Sequence, residues 1–444
     1  MRTIKNKYSI IEKIVGEQTI QKEKYYKHSI YTRLICIRNG ENLWYNLFTG
    51  EILLLLEEEK ESIKFDKKIY SNDMDELIKK RFLVPCDLNE HELCKSVKLT
   101  ADLLLQNNVI NSYTIMTTTD CNARCFYCYE LGCKREFMTE KTAFDVADYI
   151  IKHYKKQKIH INWFGGEPLY NSKVINIICE ELKKSDIDFD SSMISNGYLF
   201  DANIIEQAKK YWNLKWVQIT LDGTEEVYNK TKAYIYKNTN PFKIVIENIK
   251  NLINNQIKVR IRLNLGEYNF EDLKRLTKYL YEYLGRNKWF CVYVSPLYDE
   301  LKTNGNDVYA KLFELEDYLQ SLGIFAKISL NEKYQNAACM ADSNSSRLIT
   351  PTGNIGLCEH FSDSNIIGNI YSKKLDDNLK NSWKETLPEQ PKCKSCIFFP
   401  ECKRIKKCPN NLLTCSDELI KKKIRYLDNS INWYYEKNFK KTGD

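Results

Sequence analysis

The amino-acid sequence predicts an α/β fold, with a parallel sheet and helices packed outside it. Three observations support this prediction. The middle of the chain holds six short apolar runs rich in β-branched residues, and a helical pattern follows each run. The candidate functional motifs of this part follow predicted strands, where ligand sites gather in parallel α/β folds. The predicted strands cover residues 112–118, 159–164, 191–195, 216–221, 259–265 and 290–294. The helices are predicted to begin near Thr139, Asn171, Asp201, Pro241, Asn269 and Asp307.

The first 110 residues come before this repeating pattern and predict a smaller α+β unit. Residues 31–38 and 42–48 are apolar and β-rich, and Asn39-Gly40 between them is a strong hairpin signal. A helical run is predicted to open at residues 49–51, and residues 74–82 predict a short helix. The expected domains are residues 1–110, 111–325 and 326–444.

Composition and charge predict a cytoplasmic protein without a membrane or nucleic-acid partner. Hydrophobic residues make up 43% of the chain, but no apolar run is long enough to span a membrane. The N-terminus lacks the apolar segment of a secretion signal. The net charge of +8 is spread along the chain, and the dense basic stretches fit solvated helix faces. In the cytoplasm, 16 cysteines indicate metal or redox chemistry rather than disulfides.

Three cysteines form the most informative pattern in the chain. The stretch Cys121-Asn-Ala-Arg-Cys125-Phe-Tyr-Cys128 has C-x3-C-x2-C spacing. Iron-sulfur cubes normally take four cysteine ligands, so three clustered thiols leave one iron for a ligand from outside the protein. A zinc knuckle or ordinary buried thiols are the alternatives for these residues.

The cysteine triplet, the aromatic residue before its third cysteine and the later Gly165-Gly166-Glu167-Pro168 resemble the radical S-adenosylmethionine (SAM) enzymes. This resemblance implies that the central domain is a partial TIM-like (β/α)6 barrel. It also implies that Cys121, Cys125 and Cys128 bind a 4Fe-4S cluster, and that the free iron of this cluster binds SAM.

The resemblance further assigns residues to SAM binding. Glu167 would accept a charge-assisted hydrogen bond from the ammonium group, and the two glycines would let the backbone approach the ligand. Thr220 occupies a ribose-contacting position, and Lys232 stands where related enzymes have an arginine for the carboxylate. For these two, an ordinary strand-end residue and a solvated lysine are the alternatives. The expected cofactor-binding residues are Tyr127, near the adenine, and Gly165, Gly166, Glu167, Ser195, Thr220 and Lys232.

A second group of seven cysteines looks like the SPASM extension of radical SAM enzymes that modify peptides and proteins, where auxiliary 4Fe-4S clusters are bound. The resemblance assigns one cluster to Cys393, Cys396, Cys402 and Cys415, and another to Cys339, Cys358 and Cys408. The fourth position of the latter would be open to substrate, or filled by Cys291 or His360. Five residues separate Cys402 from Cys408 where the family usually has three, and a zinc ribbon is the alternative for residues 393–408.

The N-terminal unit is similar to the winged-helix elements with which peptide maturases hold a leader peptide. An exposed strand edge can capture an extended peptide by adding it to the sheet. A purely structural cap is the alternative for this unit. We therefore predict a radical SAM peptide maturase that installs a crosslink, a thioether or similar bond, in a ribosomally made, cysteine-containing precursor peptide. A flavodoxin- or ferredoxin-type donor would supply its electrons.

Two other functions remain open at the level of sequence. One is an anaerobic sulfatase maturase that forms formylglycine, a family in which an aspartate near the Gly-x4-Cys element serves as a base. Here Glu359 follows Cys358 and is the expected catalytic residue, with a surface carboxylate as the alternative. The other is a zinc-stabilised peptide-binding protein without enzymatic activity.

Overall fold

We analysed a computed structural model of the 444-residue chain. The residues that the structure describes are 2–5, 9–36, 41–62, 64–104, 109–297, 305–326, 339–360, 365–408 and 415–439. In this part of the chain, no helix combines the length and the apolar character that crossing a bilayer requires.

The described residues of the N-terminal unit form two small antiparallel sheets and four α-helices. Its strands are β1 (Arg2–Lys5), β2 (Tyr25–His28), β3 (Thr32–Cys36), β4 (Asn42–Asn46), β5 (Ile52–Leu55), β6 (Lys68–Ile69) and β7 (Leu83–Pro85). Its helices are α1 (Ser9–Val15), α2 (Glu57–Ser62), α3 (Asp75–Lys79) and α4 (Glu90–Leu104). The strand orders are β1-β5-β4-β3 in the first sheet and β6-β2-β7 in the second.

The predicted hairpin of this unit is confirmed, and one of its predicted helical segments is wrong. Strand β3 pairs antiparallel with β4, and Cys36 stands opposite Asn42; the predicted turn at 39–40 lies outside the described residues. The helical run predicted from residues 49–51 is instead strand β5, and helix α2 begins six residues later, at Glu57. Strand β5 lies between β1 and β4, so pairing on both edges and burial of Ile52 and Leu53 outweigh local propensity.

The central part alternates strands and helices as the sequence predicted. Its strands are β8 (Ser112–Thr118), β9 (Ile159–Gly165), β10 (Phe189–Ser195), β11 (Leu214–Leu221), β12 (Lys258–Leu265) and β13 (Phe290–Pro296). Its helices are α5 (Glu140–His153), α6 (Ser172–Lys184), α7 (Ala202–Lys210), α8 (Glu225–Lys232), α9 (Pro241–Asn254), α10 (Phe270–Leu284) and α11 (Gly305–Leu322). The six strands pair in parallel and in chain order.

Local signals explain why these helices begin where they do. The Thr139 hydroxyl accepts a hydrogen bond from the Thr142 backbone N–H, and the Asp201 carboxylate accepts one from Ile204 in the same way. Proline opens helix α9, where its missing N–H costs nothing. All six predicted strands and the six helices that follow them are therefore confirmed. Helix α8 was not predicted, because the helix is short and its eight residues are mostly polar.

The two faces of the parallel sheet differ in character. Trp163, Val217 and Ile261 are fully buried in the apolar core that the sheet forms with the outer helices. Side chains alternate along a strand, so the neighbouring residues face the other way. That second face is polar: the Tyr293 hydroxyl donates a hydrogen bond to Gln218 Oε1 at 2.6 Å. Half-buried polar side chains on this face can contact a polar ligand at the strand ends.

The C-terminal part continues the same sheet. Its elements are β14 (Ser346–Ile349), β15 (Asn354–Gly356), β16 (Ile366–Asn369), α12 (Asp377–Ser382) and α13 (Asp417–Phe439). Strand β14 pairs in parallel with β8, and β15 and β16 follow in antiparallel order. The segment that contains Cys358 therefore leaves the sheet two strands away from the one that precedes the cysteine triplet.

Helix α13 joins the C-terminal part to the N-terminal unit. Arg33 on β3 donates two hydrogen bonds of 2.6 Å to the two carboxylate oxygens of Asp428. Ile431 on the same helix is fully buried in a cluster that includes Leu43 and Tyr45 of strand β4. The N-terminal unit thus shares a hydrophobic core with the end of the chain.

We predict that Ile431→Ala destabilises the protein, because it opens a cavity in the core shared by α13 and the N-terminal sheet. The expected loss in the free energy of unfolding is about 2–5 kcal/mol. Urea denaturation, followed by tryptophan fluorescence, measures it. Lys421→Ala is the control, because this side chain on the same helix is exposed. An equal effect of the two substitutions would contradict a shared core.

Candidate functional site

The three cysteines of the triplet lie on the loop that follows strand β8, which we call the Cys loop (residues 119–134). All three side chains are half-buried. The Cys121 sulfur accepts hydrogen bonds from the Ala123 backbone N–H at 3.4 Å and from the Asn196 side chain at 3.7 Å. Burial raises the pKa of the Cys121 thiol to about 12, and the carboxylate of Glu167 adds to this rise.

Gly165 and Gly166 hold the Cys loop by a close approach of two backbones. A Cβ atom on Gly165 would lie 2.1 Å from the Thr118 carbonyl oxygen, and one on Gly166 would lie 2.3 Å from that of Asp120. Gly165 also has a φ of 118°, a backbone conformation that residues with a side chain rarely adopt. The backbone N–H groups of Gly166 and Glu167 donate to these same carbonyls at 3.1 and 3.0 Å. The sequence predicted that the backbone of the two glycines would lie close to a ligand. In the structure this backbone lies close to the start of the Cys loop.

Glu167 is fully buried and its carboxylate has three protein donors. Its oxygens accept hydrogen bonds from the Ser195 hydroxyl at 2.9 Å, the Asn196 backbone N–H at 2.8 Å and the Leu169 backbone N–H at 3.2 Å. Burial nevertheless raises the pKa of this carboxyl from 4.5 to about 7, because these neutral donors offset only part of the cost of a buried charge. A ligand ammonium would supply the missing positive charge.

Lys232 and Tyr127, both predicted to bind the cofactor, contact each other. The Lys232 ammonium is buried, donates to the Tyr127 hydroxyl at 3.0 Å and lies 3.1 Å from Asp222 Oδ2. Burial disfavours the charged lysine, but Asp222 outweighs it, so the pKa of Lys232 is raised well above its usual value. Lys232 is thus an interior cation rather than a solvated lysine, and its backbone carbonyl lies 4.0 Å from the Cys125 sulfur.

Thr220 lies one residue before the end of β11, half-buried and beside Arg262 of strand β12. It faces the polar side of the sheet, since its neighbours Ile219 and Leu221 belong to the apolar core. All seven predicted cofactor residues therefore gather at the carboxyl ends of β8 to β11 or on the adjoining Cys loop and helix α8.

These residues fit SAM and a cluster by their chemistry. SAM carries an ammonium and a carboxylate, and the site holds a buried carboxylate on Glu167 and a buried ammonium on Lys232. One buried atom near them, Asn122 Nδ2, has no hydrogen-bond partner within the described residues, and Asp222 Oδ2 has the Lys232 ammonium at 3.1 Å. No three His, Cys, Asp or Glu side chains described by the structure converge closely enough to hold one metal ion. An iron-sulfur cube does not require such convergence, because each of its thiols binds a different iron.

The electrostatic contacts of the auxiliary cysteines agree with the two groups that the resemblance assigned. Burial raises the pKa of the Cys358 thiol to about 11, and Cys339 and Cys408 lie close enough to raise it further. Burial also raises the pKa of Cys396, with smaller contributions from Cys415 and Cys402. Cys393 and Cys402 line one cavity of about 560 Å³. Cys339 and Cys408 are thus within electrostatic reach of Cys358, and Cys402 and Cys415 are within reach of Cys396; the assignment of the seven cysteines to two clusters stays a prediction.

Glu359 and His360 lie beside the Cys loop. The ring of His360 packs against that of Tyr129, with centroids 4.6 Å apart. Glu359 lies within electrostatic reach of Tyr129 and of Tyr293 on strand β13. Cys291 is different, since the charged groups that act on it are Lys258 and Arg260. Of the two candidates for the fourth ligand, His360 lies two residues after Cys358, and Cys291 lies on strand β13 opposite Arg260 of β12.

Sequence reasoning missed several residues of this site. Asn196 bridges the Cys loop and Glu167, because its side chain also donates to Asn122 Oδ1 at 2.6 Å. Asp222 supplies the buried anion for Lys232. Both follow predicted strands, so their position at strand ends was the available signal. Their partners come from other strands and were not readable from spacing.

Residues 115–280 match the Radical SAM superfamily. The chain carries a radical SAM domain. Enzymes of this superfamily use a 4Fe-4S cluster and SAM, and the match covers the Cys loop, Gly165-Gly166-Glu167 and Lys232. This places the chain among enzymes.

Curated relatives are similar to this chain in sequence, and solved structures share its fold. The chain is 24% identical to the radical SAM cyclopropyl synthase TigE of Paramaledivibacter caminithermalis over 266 residues, which cover 49% of this chain and 56% of that protein. It is 24% identical to the cysteine-type anaerobic sulfatase-maturating enzyme of Clostridium novyi, over 64% of this chain and 84% of that enzyme. The structure of Streptococcus suis SuiB bound to precursor peptide SuiA shares the fold, with a TM-score of 0.52 and 15% identity over 88% of this chain and 98% of SuiB.

We predict that Gly166→Ala displaces the Cys loop, because the added Cβ would meet the Asp120 carbonyl oxygen at 2.3 Å. Anaerobically reconstituted protein should lose the iron of one cluster, about four atoms per chain, and SAM cleavage should fall at least about tenfold. Iron analysis and 5′-deoxyadenosine formation measure these effects. Unchanged iron at the auxiliary sites is the control, and full activity would contradict the close approach.

The raised pKa of Glu167 predicts a pH dependence of stability in cofactor-free protein. The folded state binds this proton more tightly than the unfolded state, so stability is full below pH 4.5 and declines as pH rises to about 7. The loss is at most about 3 kcal/mol. Glu167→Gln should lack this decline, and urea denaturation of both proteins at pH 5 and pH 8 measures the difference. Parallel pH profiles would contradict an uncompensated buried carboxylate.

Proposed function

We propose that this protein is a radical SAM maturase that installs a crosslink, a thioether or similar bond, in a ribosomally made precursor peptide containing cysteine. The observation that carries the proposal is the contact between the Cys loop and the segment after Cys358, made by the Tyr129 and His360 rings. This contact supports a placement of the auxiliary cysteines beside the Cys loop, because Tyr129 follows Cys128 and His360 lies two residues after Cys358. Closing a new bond on a substrate radical requires the removal of one more electron, and a neighbouring auxiliary cluster is suited to accept it.

When bound, SAM and its cluster supply a 5′-deoxyadenosyl radical that takes a hydrogen atom from the substrate. The chain binds and orients the reactants. In this proposal Glu167 receives the SAM ammonium, Lys232 receives its carboxylate, and Tyr127 borders the adenine. The buried pair of Lys232 and Asp222 must then open or share its charge with the ligand, since Asp222 Oδ2 lies 3.1 Å from the ammonium.

Glu359 is proposed as the base that takes the proton of the substrate thiol. Its surroundings support this role, because it is within electrostatic reach of Tyr129 of the Cys loop and of Tyr293 on the polar face of the sheet. Substrate between these residues would touch both the radical site and the auxiliary cysteines. Overall the substrate loses two hydrogen atoms and gains one bond.

The N-terminal unit is proposed to hold the leader of the precursor peptide. Strand β3 is one of the two edge strands of its sheet, and an extended peptide can pair with such an edge. SuiB, whose fold extends over most of this chain, was solved with the precursor peptide SuiA. We also propose a flavodoxin- or ferredoxin-type electron donor and a cytoplasmic location.

A second candidate function is the oxidation of a cysteine to formylglycine. The match to 84% of the sulfatase-maturating enzyme of Clostridium novyi favours it. It also needs a base beside the auxiliary cysteines, for which Glu359 would serve. Formylglycine formation gives the N-terminal unit no role, so we prefer a maturase that acts on a precursor peptide.

Iron analysis and SAM turnover of anaerobically purified protein test the proposal. We expect about twelve irons per chain, and 5′-deoxyadenosine after addition of dithionite and SAM. Cys125→Ala should abolish 5′-deoxyadenosine formation. Cys402→Ala should leave 5′-deoxyadenosine formation intact, because only an auxiliary site is lost. The same substitution should prevent formation of the crosslinked peptide.

Two peptide substrates separate the two candidate functions. One is the product of any small cysteine-rich reading frame beside the gene, and the other is a cysteine-containing peptide with a sulfatase motif. If the mass of the first peptide falls by two hydrogen atoms and its thiol no longer reacts with an alkylating reagent, the result supports crosslinking. Aldehyde formation in the second supports the alternative. Zinc in place of iron, without SAM cleavage, would contradict both.

A further inference from the structure

Lys98 of helix α4 places a positive charge beside one auxiliary site. Its ammonium donates hydrogen bonds to the backbone carbonyls of Phe399 at 3.0 Å and Cys402 at 2.7 Å. It also lies 4.5 Å from the centroid of the Phe399 ring. Both carbonyls belong to the short segment between Cys396 and Cys402, two of the proposed ligands of one cluster.

In the part of the chain that the structure describes, Lys98 forms no direct ion pair with a carboxylate, although Asp102 is within electrostatic reach. Among the described residues, no carboxylate lies within ion-pairing distance of Lys98, whose partners are two carbonyl oxygens and a ring. Asp102, one turn later on the same helix, is paired with Lys403 at 3.0 Å. Removing an ammonium from water without a counter-charge is costly, so an anion is expected nearby. The groups that electrostatically favour the Lys98 ammonium are, in decreasing order, the Cys94 thiol, the Cys402 thiol and the Asp102 carboxylate.

We propose that Lys98 is the counter-ion of the auxiliary cluster held by Cys393, Cys396, Cys402 and Cys415, and that its charge raises the reduction potential of that cluster. The inference rests on the auxiliary cluster under Proposed function. Four thiolates make a 4Fe-4S cluster anionic, and reduction adds one more negative charge. A half-buried cation beside it therefore favours the reduced form.

The arrangement also connects this cluster with the N-terminal unit. Helix α4 carries Cys94 and Val97, which are buried in the core that includes Phe399 and strand β4. Lys98 is the next residue along this helix. Its position relative to the cluster is therefore set by the unit proposed to bind the leader, which makes Lys98 a positioning residue rather than a catalytic one.

The test compares charge with hydrogen bonding at this position. Lys98→Gln keeps N–H donors but removes the charge, and Lys98→Arg keeps the charge. Lys95→Gln is the matched control, since Lys95 lines the same cavity, is exposed and is paired with Glu92. All are made in full-length protein carrying Cys121→Ser, Cys125→Ser and Cys128→Ser, so that remaining signals come from auxiliary clusters. Dithionite titration with mediators, followed by electron paramagnetic resonance, measures the potentials.

We expect Lys98→Gln to shift one auxiliary couple to a lower potential. At the ambient potential where the parent cluster is half reduced, the ratio of reduced to oxidised cluster should fall about tenfold, which corresponds to about 59 mV for one electron. Lys98→Arg should stay close to the parent, and Lys95→Gln should not shift. Loss of one cluster's iron in Lys98→Gln, retained in Lys98→Arg, would also support the proposal.

Several results would overturn it. They are an unshifted potential in Lys98→Gln with iron intact, an equal shift in Lys95→Gln, or loss of iron in both Lys98 variants. The last would mean that packing at this position, not charge, holds the segment. A failure of the proposed function gives a different result: the protein with Lys98 unchanged would then contain no iron at the auxiliary sites.

Discussion

The candidate site depends on the close approach of two backbone segments at the ends of strands β8 and β9. Gly165 and Gly166 leave no space for a side chain between the chain that follows β9 and residues 118–120. Backbone hydrogen bonds at 3.0 and 3.1 Å close this contact. One end of the contact leads into the Cys loop, and the other presents Glu167. The distance between the thiols and the buried carboxylate is therefore set by backbone geometry, which is more rigid than side-chain packing.

The protein keeps three charges wholly or partly away from water. Glu167 is buried among neutral donors, Lys232 is buried against Asp222, and Lys98 is held by carbonyl oxygens. A buried charge without a full partner reduces stability. Each of these charges is opposite in sign to the group proposed to bind beside it: an ammonium, a carboxylate and an anionic cluster. Binding would therefore return part of the stability that the ligand-free chain gives up.

The ends of the chain form part of the same structure. Helix α13 pairs Asp428 with Arg33 and buries Ile431 against the N-terminal sheet, while its Tyr426 hydroxyl donates to Glu316 of helix α11 at 2.7 Å. Strand β14 extends the central sheet. A unit proposed to hold a leader peptide and a region proposed to hold clusters are thus joined to the radical SAM domain by shared cores and not by free linkers.

Sequence alone determined the parallel α/β core, the positions of its six strands and the grouping of the cysteines, because each depends on patterns within a short stretch of chain. It failed at residues 52–55, where apolar residues without alternation fit a helix as well as a strand and pairing with β1 and β4 decided the outcome. Tertiary structure alone decided that Lys232 meets Asp222 and Tyr127, and that Lys98 reaches Cys402, 304 residues away. These contacts arise where separate strands and helices meet, and no spacing along the chain records which side chains will meet there.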